Sequence, residues 1–423
     1  MGRVLSRLAL CRKEKNSIIE DIFVCMEPPE KDLTVSIMQQ SGIRLLICPD
    51  QKETDRLLAA SDIVQIEWWH HPLIAEWMCK NNIRARLIVW SHTSGLHYPA
   101  IPRNFVALPH VFLFTSPVSR KVIIGESTVD ISESTNRVDV VHSSGGFDDI
   151  PLVSRSKQLG CLSYGYLGSL NFAKLHPEVV DFIKAVEIPG FAVDFFGDPS
   201  SNKGLKAIAE KAGISDRVNI CGFTERPYDV LGGMDVFVYL LNPYHYGTTE
   251  NALLEAMACG VVPVVLNNPI EASIVSHGHS GIVVDSPGSF SQAISYLNSK
   301  PDERCRISET ACREIRARFS LEHTEKQLND HYLSVMECQK MDFEFGPIFG
   351  NSPAEWFASC LGSYRSFFAE GGGTELRKRR LQHPVLYEKS KSSVFHYHQY
   401  FPDDPMLAHW VTMLEDDLGH AGA

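Results

Sequence analysis

The 423-residue sequence has no apolar run approaching the roughly eighteen residues that cross a bilayer. Its opening VLSRLALC is too short for a signal peptide and carries Arg7 within it, so no secretory leader is expected. Met-Gly-Arg-Val-Leu-Ser does fit the short, loose N-myristoylation pattern. The eleven cysteines form no C-x-x-C pair and no Cys/His spacing of a zinc site. Scattered thiols of odd number point to a reducing, cytoplasmic compartment rather than to a disulfide framework. Positive charge is also in short supply. With a net charge of −11, general binding to nucleic acid or to an anionic membrane is disfavoured, and any polyanion must be met locally. No Asp-x-Asp occurs anywhere.

What the sequence does contain is an ordinary globular balance, 44% hydrophobic and 22% charged, enough for two buried cores. From 159 to 298, strand and helix patterns alternate: LGCLSYGYLG, HPEVVDFIKAV, FAVDFFGD, NKGLKAIAEKAG, RVNICGF, RPYDVLGGM, DVFVYLL, a helix, VVPVVL, a helix and SGIVVD. Alternation of this kind predicts a parallel sheet covered by helices, with ligands at the carboxyl ends of its strands. The first 150 residues carry the same grammar in IRLLICPD, SDIVQIEWW, ARLIVWSH, HVFLFTS and RVDVVHSS. The expected organisation is an N-terminal Rossmann-like domain over 1–150, a second over 151–336 closed by LEHTEKQLNDHYLSVM, and an aromatic-rich extension over 337–423. Two such domains usually face each other across a cleft.

The most informative stretch is YGTTENALLEAMACGVVPVV, residues 246–265. Leu253, Leu254 and Met257 recur at helical spacing, Gly260 suits a left-handed C-terminal position, and VVPVVL reads as a buried strand. Thr249 is the expected N-cap, with Glu250 and Asn251 in the first turn, which places free N–H groups and a positive dipole end beside Thr248 and Thr249. Two readings stay open on this pattern: an ordinary capped helix, or an anion site for a phosphate or nucleotide.

Three segments in order, YGYLGSLNFAK, GFTERPYDVLGGMDVFVYL and TTENALLEAMACGVVPVVLNNPIEASIVSHGHSGIVVD, resemble the family 4 retaining glycosyltransferases, the glycosyl transferases group 1. The resemblance covers 140–335 strongly and 40–140 more loosely. It implies an α/β GT-B fold of two doubly wound Rossmann-like domains, here with a C-terminal extension. It also implies a hexosyltransferase-like activity: transfer of a sugar from a nucleotide-diphosphate sugar with retention and without metal. By the same resemblance, Glu255 holds the donor ribose, backbone amides around Thr248, Thr249, Glu250 and Asn251 hold the diphosphate and sugar, and Lys174 neutralises the diphosphate. Gly168, Leu170 and Lys174 match the family's phosphate element, with Ser169 where an arginine is usual. Gly222, Phe223 and Thr224 fall where the base lies.

Two departures stand out. The family's first glutamate falls at Gly247, so either the donor geometry differs or Glu250 takes over from the next turn. Relatives also open with a strand and a glycine-rich loop, whereas GRVLSRLAL already reads as a helix; the first strand is missing or IEDIFVC replaces it.

Such a transfer asks chiefly for stabilisation of the departing diphosphate and close placement of the acceptor. Lys174, Glu250 and His92 are the candidate catalytic residues, with no cofactor beyond the donor itself. Trp69, His70 and His71 are candidates for the acceptor side, against the plainer reading that these histidines are structural. Trp68 and Trp69 point to opposite faces of a strand, so one of them belongs to the core. His176 is expected to cap a helix, and SSGGFDDIP at 143–151 to form a hinge. ELRKRR reads as a solvated face, and metal binding by His396 and His398 lacks further ligands at recognisable spacing. The acceptor is not identified by the sequence, and peripheral contact with a membrane stays open. A non-catalytic GT-B module that binds a nucleotide sugar or glycan is the alternative.

Overall fold

The computed structural model describes residues 2–15, 17–29, 32–125, 137–150, 162–198, 203–369 and 384–419. Pro151 and ELRKRR lie outside the described residues. Contacts group the described residues within 1–146, 321–380 and 389–423 into one compact unit, and those within 147–320 and 381–388 into a second.

In the first unit, GRVLSRLAL is indeed the start of a helix, Gly2–Glu14. IEDIFVC supplies strand β1 (Ile22–Cys25), which pairs in parallel with β2 (Arg44–Ile47) and with no other described strand. β3 (Val64–Trp68), β4 (Ile83–Ala85), β5 (Leu87–Ser91), β6 (Val111–Phe114) and β7 (Arg137–Val140) follow. Four of them form a separate parallel sheet in the order β3-β5-β6-β7, leaving β3 at an edge. The N-terminal helix lies between the two sheets. Its Val4 and Leu8 join Ile88, Trp90, Val111 and Leu113 in one core, while Ala9 joins Met38 and Ile43 in another. A helix packed on both sides thus replaces the continuity that a bridging strand would give. The small sheet stays partly wet, with Ile22 36% and Val24 40% exposed.

The second unit holds β8 (Tyr164–Leu167), β9 (Val193–Phe196), β10 (Val218–Gly222), β11 (Val236–Tyr239), β12 (Val262–Leu266) and β13 (Ile282–Val284). All six pair in parallel, in the order β10-β9-β8-β11-β12-β13. Every strand expected in this region is present. The central strands β11 and β12 are buried along their whole length, as near-continuous apolar runs require.

The helix Leu321–Met336, expected to close the second domain, belongs instead to the first unit, because its Leu328 and Val335 pack with Val4, Leu8 and Trp90. Most of the extension follows it there, the described residues within 381–388 excepted. β14 (Met341–Phe343) pairs antiparallel with β4. Helices Pro353–Ser359, Val394–Tyr400 and Pro405–Gly419 then bring Phe357 into ring contact with Phe368, Tyr397 and Trp410 at 5.4–5.7 Å.

Candidate active site

In the second unit the chain runs outward from β8 through β9 to β10, then returns to start the other half at β11, so the topological switch point lies between β8 and β11. Open parallel sheets bind ligands at the carboxyl ends of the strands beside that point. Lys174 sits in the turn after β8, Tyr239 ends β11, and His245 and Glu250 lie in the loop that follows. Backbone and side-chain bonds pin the two loops together. Asn242 N–H donates to Lys174 O at 2.8 Å, and Asn242 Nδ2 donates to Phe172 O at 2.7 Å.

Lys174 Nζ donates to both carboxylate oxygens of Glu250, at 2.8 and 2.6 Å, and Tyr239 Oη donates to Oε2 at 2.5 Å. Burial pushes the Glu250 carboxyl up, but the ammonium of Lys174, with His245 and Tyr239, more than reverses this and holds it below the usual value. Burial likewise pulls Lys174 down, and Glu250, Tyr246 and Glu271 together carry it above the ordinary lysine value. Both groups are therefore charged in a dry setting.

The local backbone explains how Glu250 gets there. The helix begins at Asn251, and its N-cap is Glu250 in the left-handed region (φ 47°, ψ 57°), not Thr249 as expected. A non-glycine residue there costs about 1–2 kcal/mol, and the bend turns the Glu250 carboxylate back toward residue 247. Gly247 makes this geometry possible: a Cβ at that position would overlap Glu250 Oε1 and come within 2.5 Å of Lys174 Nζ. The Glu250 carboxylate thus fills the space that a side chain at 247 would use. Thr248, Thr249 and Glu255 are all buried alongside.

Behind this pair, His245 Nδ1 lies 3.6 Å from Glu250 Oε1, and its Nε2 lies 2.8 Å from Glu271 Oε1. Gly247 N–H donates to the same Nδ1 at 3.0 Å, so a neutral ring carries its proton on Nε2. Glu271, fully buried in the helix Pro269–Ile274, is close to that nitrogen but out of line with it, and neither of its oxygens has an aligned hydrogen bond.

The remaining donor-side candidates end or follow β8 and β10. Gly168 (φ 155°) follows β8, and a Cβ there would press on the Tyr166 hydroxyl at 2.6 Å. The exposed Ser169 offers its carbonyl to that hydroxyl at 2.9 Å. Gly222 (φ 81°) ends β10, Phe223 is 56% exposed, and Thr224 Oγ1 accepts from Arg226 N–H at 3.1 Å. His176 is not an N-cap, since the helix starts at Val179; its Nδ1 instead accepts from Glu178 N–H at 3.1 Å, shaping the preceding turn.

In the first unit, His92 Nε2 sits 2.5 Å from Glu67 Oε2 at the ends of β5 and β3. Trp68 is core, while Trp69 is half-buried beneath Lys391, whose ammonium lies 5.5 Å from its ring centroid. His70 and His71 do not face solvent, contrary to an acceptor role. His70 is enclosed by Trp68, Tyr98, Phe357 and Tyr397, the last two from the extension. Burial drops its pKa to about 3. His71 caps the helix Pro72–Lys80 by accepting Leu73 N–H at 3.2 Å, and its Nε2 faces Glu27 at 3.3 Å. His396 and Tyr400 complete that group, with Tyr400 Oη donating to Glu27.

Two of these groups, Glu27–His71–His396 and His245–Glu250–Glu271, are spaced for a cation. Their donor chemistry points elsewhere. In all three imidazoles Nδ1 accepts a backbone N–H, so a cation at Nε2 would have to displace the ring's proton.

Residues 162–314 match the family model described as glycosyl transferases group 1. The chain is 27% identical over 157 residues to the lipopolysaccharide core biosynthesis glycosyltransferase LpsE of Rhizobium meliloti (strain 1021), covering 36% of this chain and 44% of LpsE. It spans less than half the length of the curated relatives it matches. Among solved structures, a glycosyltransferase from Rickettsia africae ESF-5 superposes with a TM-score of 0.62 at 14% identity, over 79% of this chain and 95% of that one. Anabaena Alr3699/HepE in complex with UDP gives 0.61 at 15% identity, over 79% and 96%.

The fold is GT-B. The Lys174–Glu250 pair and its neighbours all fall inside the matched 162–314 segment of this GT-B chain. Tyr239, His245 and Glu271 complete the cluster and are absent from the sequence-based site. Only one signal pointed to them: a histidine and an acid flanking the TTENALLEAM helix, each within a few residues of a strand's carboxyl end.

Proposed function

We propose that this chain is a retaining glycosyltransferase of the family 4 type that takes its sugar from a nucleoside-diphosphate sugar and needs no metal. The observation that carries the proposal is the buried Lys174–Glu250 pair at the switch point between β8 and β11, within the segment matching the group 1 model. HepE, which shares the fold, was solved with UDP and with UDP-glucose. In this reading Lys174 and the N–H groups from Gly247 to Asn251 stabilise the charge that gathers on the departing diphosphate. Glu250 takes the sugar contacts that a glutamate at 247 would make, since its carboxylate occupies that space. Glu255 holds the ribose, and Gly222, Phe223 and Thr224 lie against the base. The leaving phosphate accepts the acceptor's proton, so no separate base is required. His92, oriented by Glu67, is assigned to the sugar or acceptor. Among the described residues ten cysteines are free, in keeping with a cytoplasmic location, and no helix is long and apolar enough to cross a membrane.

A thermal-shift screen against UDP-, GDP-, ADP- and TDP-sugars, with and without magnesium, followed by donor hydrolysis, tests the proposal. A metal-independent shift with slow hydrolysis is expected, and Glu255→Ala should lose the shift while staying folded. A shift without turnover on any acceptor would favour the non-catalytic GT-B module.

A further inference from the structure

The buried cluster at the switch point has one cation too few. Glu250 and Glu271 supply two carboxylates, and Lys174 supplies one ammonium, which is committed to Glu250 at 2.6 Å. Glu250 from the cap of the Asn251 helix and Glu271 from the helix after β12 face His245, while Lys174 from the loop after β8 and Tyr239 from β11 hold Glu250, and Tyr246 lies beside Lys174. Gly247 N–H donates to Nδ1, and Glu271 lies beside Nε2 without an aligned hydrogen bond.

Resting on the donor reading above, we propose that donor binding draws Lys174 toward the diphosphate and releases Gly247 N–H to a phosphate oxygen, and that His245 then takes up one proton at Nδ1. The imidazolium replaces Lys174 as the counter-charge of Glu250 and remains the partner of Glu271. The proton comes from solvent, and no covalent bond forms or breaks. The exchange is favourable because a carboxylate left in a dry site without a cation is strongly destabilised. His245 is thus a positioning residue: it holds Glu250 in place for the sugar while the lysine works on the diphosphate. Glycine at 247 serves the exchange as well, since its peptide can turn where a side chain would be locked.

The test is calorimetric titration of the full chain with UDP-glucose, and with GDP-mannose as second probe, near pH 8 in buffers of different ionisation enthalpy. The diphosphate of a nucleotide sugar is fully esterified at its ends and does not titrate there, so buffer-dependent heat reports on the protein. The expected result is uptake of up to about one proton per sugar nucleotide bound. Affinity should correspondingly fall by up to about tenfold per pH unit as pH rises over the range in which that proton is taken up. His245→Gln should bind with little buffer dependence, and Glu271→Gln, which removes one flanking charge, should reduce the uptake. Buffer-independent binding by the native chain overturns the proton exchange and leaves the donor reading standing. Equal uptake in His245→Gln also overturns it, and assigns the proton to Glu250. Failure of the folded native chain to bind either probe overturns the donor reading, and this inference with it.

Discussion

The two units each bury a group of histidines beside glutamate, yet they do so in opposite ways. In the first unit His70 is wrapped in aromatic rings, and His71 and Tyr400 point their donors at a single carboxylate, Glu27, with His396 beside them. The extension covers the group. In the second unit two glutamates surround one imidazole, one lysine carries the compensating charge, and the cap residue sits in a strained backbone conformation. Buried charge kept in a strained loop at a strand end is more than stability alone requires. The contrast separates a histidine cluster that fastens a C-terminal segment to its sheet from one built on a buried lysine–glutamate ion pair.

If that contrast is right, the largest stability effect comes from Lys174. Lys174→Ala leaves the Glu250 carboxylate buried without its cation and should cost about 3–5 kcal/mol, read by urea denaturation. A loss near zero would mean that the second cluster is no more charged than the first. His70 should show the next largest effect, and only in acid. An unfolded imidazole takes a proton near 6.5, while the folded one refuses it down to about 3. Stability is therefore complete above pH 6.5 and falls as pH drops through this window, by about 1.4 kcal/mol per unit. His70→Phe should flatten that dependence in pH-dependent melting; an unchanged slope would contradict a neutral, structural His70.

Gly247→Ala is expected to cost about 1–3 kcal/mol through overpacking against Glu250 and Lys174. The double swap Gly247→Glu with Glu250→Gly should recover most of that, because glycine relieves the left-handed strain and the carboxylate returns from the other position. A double variant no better than Gly247→Ala would deny that the Glu250 carboxylate fills the space of a side chain at 247. The smallest effect belongs to the exposed Lys389–Glu415 pair, 2.7 Å apart on the extension. Lys389→Ala should change stability by no more than about 1 kcal/mol in chemical denaturation.

Much of the fold was legible because strands buried on both faces leave continuous apolar runs such as VVPVVL and DVFVYLL, bounded by glycine turns. Lys174 and Glu255 were singled out by the resemblance, and the structure pairs Lys174 with Glu250 and buries Glu255. The capping pattern misled at Thr249, since the preference for threonine at an N-cap is local, whereas Glu250 is drawn into the cap by Lys174, far away in sequence. WWHHP left two readings open, and the plainer, structural one holds for its histidines. A strand-end histidine looks available until an aromatic segment more than 280 residues later closes over it. His245 and Glu271 left little trace, because nothing in spacing tells a buried glutamate from a helix-terminal one.

Binding of UDP-glucose to the native chain in the presence of a chelator, compared with Lys174→Ala and Glu255→Ala, tests the central claim most directly. Saturable, metal-free binding that weakens in both folded variants is the predicted result. Binding that both variants retain unchanged would contradict the assignment of the switch-point cluster as the donor site.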